Sequence, residues 1–167
     1  MRLELHVDGP EDGEPQSPIP LSAWGPLGRV LEGELTSLYP EIVRYGTVEL
    51  SVTLLGSDEM CSVNREYRER DEATDVLSFP LWEADGRFVP DGALTELLPL
   101  GDILICPEEV ARLHEGLPPE DAFCLVLAHG FLHLLAWDHD TEERESAMWA
   151  RQDAVKQRLL DVLRGGH

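Results

Sequence analysis

The sequence predicts a single α+β domain: a small mixed sheet packed with helices, with a cleft formed by a core helix and the turn after it. Three observations point there. The 167 residues are 43% hydrophobic, enough for one sizeable core and cramped for two. Stretches of alternating apolar residues and stretches of helical periodicity follow one another irregularly. No repeat or linker divides residues 1–167.

Leu3, Leu5 and Val7 alternate with polar residues and predict a first strand. DGPEDGEPQSPIP at 8–20 predicts an exposed loop. Trp24, Leu27, Val30, Leu31, Leu35 and Leu38 recur at helical spacing, which predicts a helix over 22–38 ended by Pro40. Val48, Leu50, Val52 and Leu54 alternate and predict a second strand, ended by Gly56. Ser57 reads as the N-cap of a short helix to Tyr67, with acids in its first turn. RERDEATD at 68–75 reads as a polar connector, and VLSF at 76–79 as a short buried strand stopped by Pro80. A loop with Pro and Gly follows to Leu100, and DILIC at 102–106 predicts another strand. Pro107 opens a helix to His114, with Glu108 and Glu109 in its first turn. GLPPED breaks the chain again. The next helix, over 121–135, is apolar nearly all round, as a core helix is. After WDHD a last helix covers 141–164, closed by Gly165 and Gly166.

Thirteen Lys and Arg face 33 Asp and Glu, a formal net charge of −20. Such a field repels polyanions and argues against a general nucleic-acid binder. It leaves room for a local basic cleft beside a cation, whose charge inverts the local electrostatics. Cys61, Cys106 and Cys124 have no CxxC spacing and read as small buried hydrophobes. Cys124 precedes His129 by five residues, off the i, i+4 face, so it is not counted as a ligand. The longest near-apolar stretch, Ala122 to Trp137, falls short of the roughly 20 residues of a bilayer span. The N-terminus turns acidic at once and has no apolar h-region, so a cytoplasmic location without a membrane partner is expected.

The informative segment is HGFLHLLAWDH, from His129 to His139. His129 and His133 are spaced i, i+4, so their imidazoles share one helix face and can bind one ion. His139 follows six residues later. A straight helix rising ~1.5 Å per residue would carry it about 9 Å along the axis, too far to share that ion. The helix must therefore end soon after His133 and the chain turn back. Three neutral histidines leave one position of a tetrahedral site open, the arrangement of catalytic zinc. There a bound water loses its proton near neutrality. Asp138 reads equally as a residue that orients a ligand or as a turn acid. The spacing is similar to that of the HExxH zinc proteases, but Gly130 stands where they keep a general-base glutamate. Peptide hydrolysis by that route is therefore not expected.

HGFLHLLAWDH resembles the HGxLHLxGYDH signature of the YbeY family, bacterial metal-dependent endoribonucleases linked to rRNA maturation and ribosome quality control. VNREYRERDEATDVLSFP resembles that family's LNxxYRxxDxPTDVLSFP, Gly101-Asp102-Ile103 its GDI element, and Met148 a methionine of its last helix. The matching blocks span residues 63–153 in order. The resemblance implies an α+β fold with the histidines at the floor of a cleft and a zinc ion on His129, His133 and His139. Nickel, copper or iron also suits three histidines. Arg68 is implied to hold the scissile phosphate, through the forked hydrogen bonding suited to guanidinium. Arg65 and Arg70 make a small basic spot beside it. Asp75, Ser78 and Asp102 read equally as turn, cap and strand-end residues or as cleft residues.

Three positions depart from the family pattern: Ala73 for proline, Ala136 for glycine and Trp137 for tyrosine. If residue 136 takes the left-handed conformation that ends the helix, alanine there costs on the order of 1 kcal/mol. The implied activity is single-strand-specific, zinc-dependent endoribonucleolytic cleavage in rRNA processing, including maturation of the small-subunit rRNA 3′ end. The implied partners are RNA and ribosome-associated proteins, with no DNA. The sequence names no general base. The rival readings are a zinc hydrolase of peptides or small esters, and a non-catalytic ribosome-assembly factor with a structural metal.

Overall fold

The computed structural model describes residues 1–9, 17–90 and 96–165. Parts of the loops expected over 8–20 and before Leu100 lie outside these residues, as does Gly166. In chain order the elements begin with β1 (Arg2–Asp8), α1 (Trp24–Leu38), β2 (Thr47–Leu54), α2 (Ser57–Arg68) and β3 (Val76–Pro80). A hairpin of β4 (Glu83–Ala84) and β5 (Arg87–Phe88) follows, then β6 (Leu97–Ile105), α3 (Pro107–Leu113), α4 (Pro119–Leu134) and α5 (Glu142–Leu163). The main sheet has the order β1-β2-β6-β3. Its first two pairings are parallel and β3 lies antiparallel on β6. The expected α+β class with a mixed sheet is what the chain forms.

Period-two alternation assigns the faces of β3. Val76 and Ser78 lie under α4, beside Gly130. Leu77 points the other way, into a small cluster with Met60 of α2 and Cys106. Val48, Leu50, Val52 and Leu54 of β2 are buried in the main core with Leu27, Leu31 and Leu35 of α1 and Phe123, Leu127 and Phe131 of α4. At about 25 cal/mol per Å² of apolar area, burial of this kind is the largest favourable term in folding. It fixes α4 as the central helix between the sheet and α5.

Several boundaries differ from the sequence expectation. Ile19, placed in the exposed loop, is 4% exposed and belongs to the core. Ser57 is the first residue of α2 and Gly56 its N-cap. The Ser57 hydroxyl contacts Glu109 and Cys106 across the fold and does not cap its own helix. Arg68 is the last residue of α2 and not part of the connector. The largest correction is β6, which starts at Leu97 and not at Asp102. Pro99 falls in the loop expected to run to Leu100, and Gly101 lies outside the expected strand, yet both sit in β6. The register against β2 shifts between Glu49 and Leu50, so the chain bulges there. β3 ends at Pro80 opposite Gly101, which leaves Pro99 with a strand on one side only. Gly101 has φ +139°, and a Cβ there would lie 2.4 Å from the Phe79 carbonyl oxygen.

Candidate metal centre

α4 begins with Pro119 at its first position, where the missing N–H is harmless, and Glu120 and Asp121 complement the helix dipole. Its last two turns carry His129 and His133, with ring centroids 4.4 Å apart. Their Nε2 atoms face each other at 2.9 Å. Gly130 lets this part of the helix approach the sheet, where Ser78 Oγ donates to the Gly130 carbonyl at 3.2 Å.

The helix then stops as the spacing of His139 requires. Ala136 takes φ +66°, the left-handed conformation. Ala136 N–H donates to the His133 carbonyl, and Trp137 N–H to the Leu132 carbonyl. This is the Schellman pattern, and Trp137 packs on the core as its apolar partner. Alanine holds a conformation that favours glycine because the turn is tied from outside. Arg144 of α5 donates to the Ala136 carbonyl at 3.1 Å, to the Gly86 carbonyl at 3.3 Å and to Asp140. Asp138 Oδ1 accepts His139 N–H at 2.7 Å, so its carboxylate shapes the turn.

The turn returns His139 to the other two. One ligand atom from each of the three histidines lies within 4.8 Å of the others. Three nitrogen donors this close are a set that would be able to hold one divalent ion such as zinc. Their chemistry also fits. Burial lowers the pKa of His129, against the opposing effect of its hydrogen bond to Gln152. Burial, followed by the neighbouring His129 charge, pushes His133 down to about 4. Both rings are neutral near pH 7, as metal ligation requires. Gln152 Oε1 accepts the His129 Nδ1 hydrogen at 2.7 Å. That leaves the lone pair on Nε2, toward His133.

The histidines line one cleft of about 520 Å³ with Tyr67, Arg68, Ser78, Glu83 and Asp138. Of the local arginines, Arg65 pairs with Asp71 at 3.1 Å and Arg70 with Glu72 at 3.9 Å. The basic spot read around them is therefore neutralised. Arg68 is exposed at the cleft and makes no ion pair among the described residues. Glu69, at φ 58°, ends α2 immediately after it, and Asn64 braces the connector through the Glu72 carbonyl. Asp75 bonds its own strand start at Val76 N and pairs with His114 at 2.9 Å, a structural use of the carboxylate. Cys106 and Cys124 are buried free thiols, and Cys61 is half-buried against Asp71.

Sequence reasoning missed two residues of α5. Gln152 orients His129, and Trp149 stacks on His139 with centroids 5.5 Å apart and planes at 25°. One signal was present: Gln152 lies on the stripe formed by Met148, Val155 and Leu159, which are buried. A polar residue on such a stripe requires a partner.

Comparison with known proteins agrees with this architecture. The profile of the family described as Endoribonuclease YbeY matches residues 29–160. A protein of that description from Halalkalibacterium halodurans is 36% identical over 133 residues, 72% of this chain and 81% of its own. Another, from Staphylococcus aureus, is 40% identical over 109 residues, 64% of this chain and 70% of its own. A solution structure from Thermotoga maritima superposes with TM-score 0.60 and 25% identity, covering 97% of this chain and 93% of that one. Among the described residues no helix is long and apolar enough to cross a membrane.

Proposed function

The chain belongs to the endoribonuclease YbeY family, and from that premise we propose that it is a zinc-dependent endoribonuclease. It cleaves single-stranded RNA in rRNA processing, including small-subunit 3′-end maturation, and serves ribosome quality control. The observation that carries the reading is the pairing, in one cleft, of three clustered histidines with an arginine that has no acid partner among the described residues. A guanidinium with no acid partner has no ion pair to break before it meets a phosphate, and it grips a phosphate through two parallel hydrogen bonds.

His129, His133 and His139 hold the metal, and nickel or another divalent ion fits the same donors. When bound, the ion supplies Lewis-acid activation of a phosphodiester and of water. The chain's own residues do the rest. Arg68 binds the phosphoryl oxygens and stabilises the charge that grows on them in the transition state. Gln152 holds His129 in the ligating tautomer, and the Arg144-tied turn holds His139 in place. Gly130 in place of a glutamate disfavours the protease reading.

Two measurements test the proposal. Elemental analysis should find about one zinc per chain in the wild type and none in His133→Ala. Arg68→Ala should keep the zinc and lose single-strand RNA cleavage by about 100-fold or more, the scale of one transition-state contact. Undiminished cleavage in Arg68→Ala would remove the arginine from the mechanism. A wild type that takes up no metal would remove the metal.

A further inference from the structure

Two large aromatic rings border the histidines with much of their surface in solvent. Trp149 of α5 is 42% exposed and Tyr67 of α2 is 63% exposed. Isolated surface aromatics need no explanation, but these two sit at the candidate centre and both rings are braced. The indole stacks on His139 and lies 5.9 Å from the His129 ring. Tyr67 stands edge-on to Phe79 at 5.4 Å and 73°, on the wall of the cleft beside Arg68. A braced ring with an open face stacks a flat ligand at little entropic cost.

The charge distribution says what kind of flat ligand. Among the described residues Arg68 is the one arginine or lysine lining the cleft, and Glu83 and Asp138 share the same walls. With a net charge of −20, the chain is poorly suited to follow a long run of phosphates. A ligand that offers one phosphate to Arg68 and flat faces to the Tyr67 and Trp149 rings matches this surface, and a short single strand is such a ligand. A duplex, whose bases are already stacked on one another, does not offer them.

Resting on the RNA reading above, we infer that Trp149 and Tyr67 are stacking platforms for the bases that flank the phosphate at Arg68. Base stacking, and not phosphate tracking, then supplies most of the affinity and makes the site selective for unpaired nucleotides. Stacking tolerates any base, because every base has a π-face. The salt dependence is shallow: a single-strand contact contributes roughly −0.7 per neutralised phosphate to the slope of log affinity against log salt, so about −0.7 is expected for the one phosphate at Arg68.

The test uses the zinc-loaded full-length protein and fluorescence anisotropy with two probes. One is a 2′-O-methyl hexaadenylate, and the other is an abasic chain with the same number of phosphates. The wild type should bind the hexaadenylate at least about tenfold more tightly than the abasic chain. Trp149→Ala and Tyr67→Ala should each weaken hexaadenylate binding roughly 5- to 100-fold and leave abasic binding unchanged. Trp149→Phe should retain most of the affinity. Arg68→Ala should weaken both probes alike. Because Trp149 touches His139, zinc content is measured in each variant. If Trp149→Ala sheds zinc, Trp149→Phe and Tyr67→Ala decide. Equal affinity for the two probes in a wild type that cleaves RNA would overturn the stacking inference alone. A wild type that neither binds the hexaadenylate nor cleaves RNA would overturn the RNA reading with it.

Discussion

Replacing Gly130 with alanine tests whether close helix–sheet contact sets the position of the histidines. An added Cβ would lie 2.8 Å from Ile103 Cγ2, 3.2 Å from Ser78 Oγ and 3.3 Å from Val76 Cγ2. Ile103 is fully buried in the inner strand β6, and its β-branched side chain is stiff at χ1. Overpacking of this kind typically costs about 1–3 kcal/mol. Against it stands the helix propensity of alanine over glycine, about 1 kcal/mol. The net expectation for Gly130→Ala is a loss of about 0–2 kcal/mol. Gly33 in α1 is the internal control, since a Cβ there meets nothing within 4 Å. Gly33→Ala should gain about 1 kcal/mol, so the difference between the two variants isolates the steric cost. For a chain of this size 1 kcal/mol moves Tm by about 2–4 °C. Urea and thermal unfolding followed by circular dichroism, on chelator-treated protein so that metal linkage does not enter, would measure both. If Gly130→Ala proved as stabilising as Gly33→Ala, the helix would have room to spare. Close approach would then not explain the glycine.

Three further expectations concern the site and its surroundings. Gln152→Ala should weaken zinc affinity by about 10- to 100-fold in competition with a chelator, the usual effect of losing a partner that orients a ligand. Unchanged affinity would mean that His129 is oriented without it. Ala136→Gly should stabilise the protein by roughly 0.5–1 kcal/mol in urea. Relief of left-handed strain at φ +66° exceeds the extra chain entropy of glycine, and a loss of stability would refute that balance. Cys124 should resist iodoacetamide at pH 8 in the native state, because burial pushes its thiol up to about 12. Rapid labelling of Cys124 at that pH would show that the α4 core opens far more readily than its packing implies.

The charge of −20 and the proposed RNA substrate conflict only while the charge is treated as uniform. Arg65 and Arg70 are committed to Asp71 and Glu72, whereas Arg68, between them in sequence, lines the cleft with no acid partner among the described residues. α2 sorts them: its last turn points residue 68 at the cleft, and the left-handed Glu69 turns the chain away.

The sequence by itself determined whatever is set within a few residues. The 3.6-residue period put His129 and His133 on one face of α4. The rise of a helix required a turn before His139, and the alternation of Val48 to Leu54 gave β2. Even the left-handed residue at 136 was legible, from the glycine that the family pattern has there. Only the tertiary structure decided what depends on residues far apart. β6 runs through Pro99 and Gly101 because β2 shifts register beside the proline and the Phe79 carbonyl leaves room for nothing larger than glycine. Gln152 and Trp149 reach His129 and His139 from another helix, and Arg144 ties a turn it follows by eight residues. Such contacts leave no periodic trace, because a hydrogen bond or a stacked ring needs one partner at the right distance and is indifferent to where in the chain that partner lies. The residues that could bind a metal were written locally. Their orientation, and the freedom of Arg68, came from the packing of α2 and α5 around them.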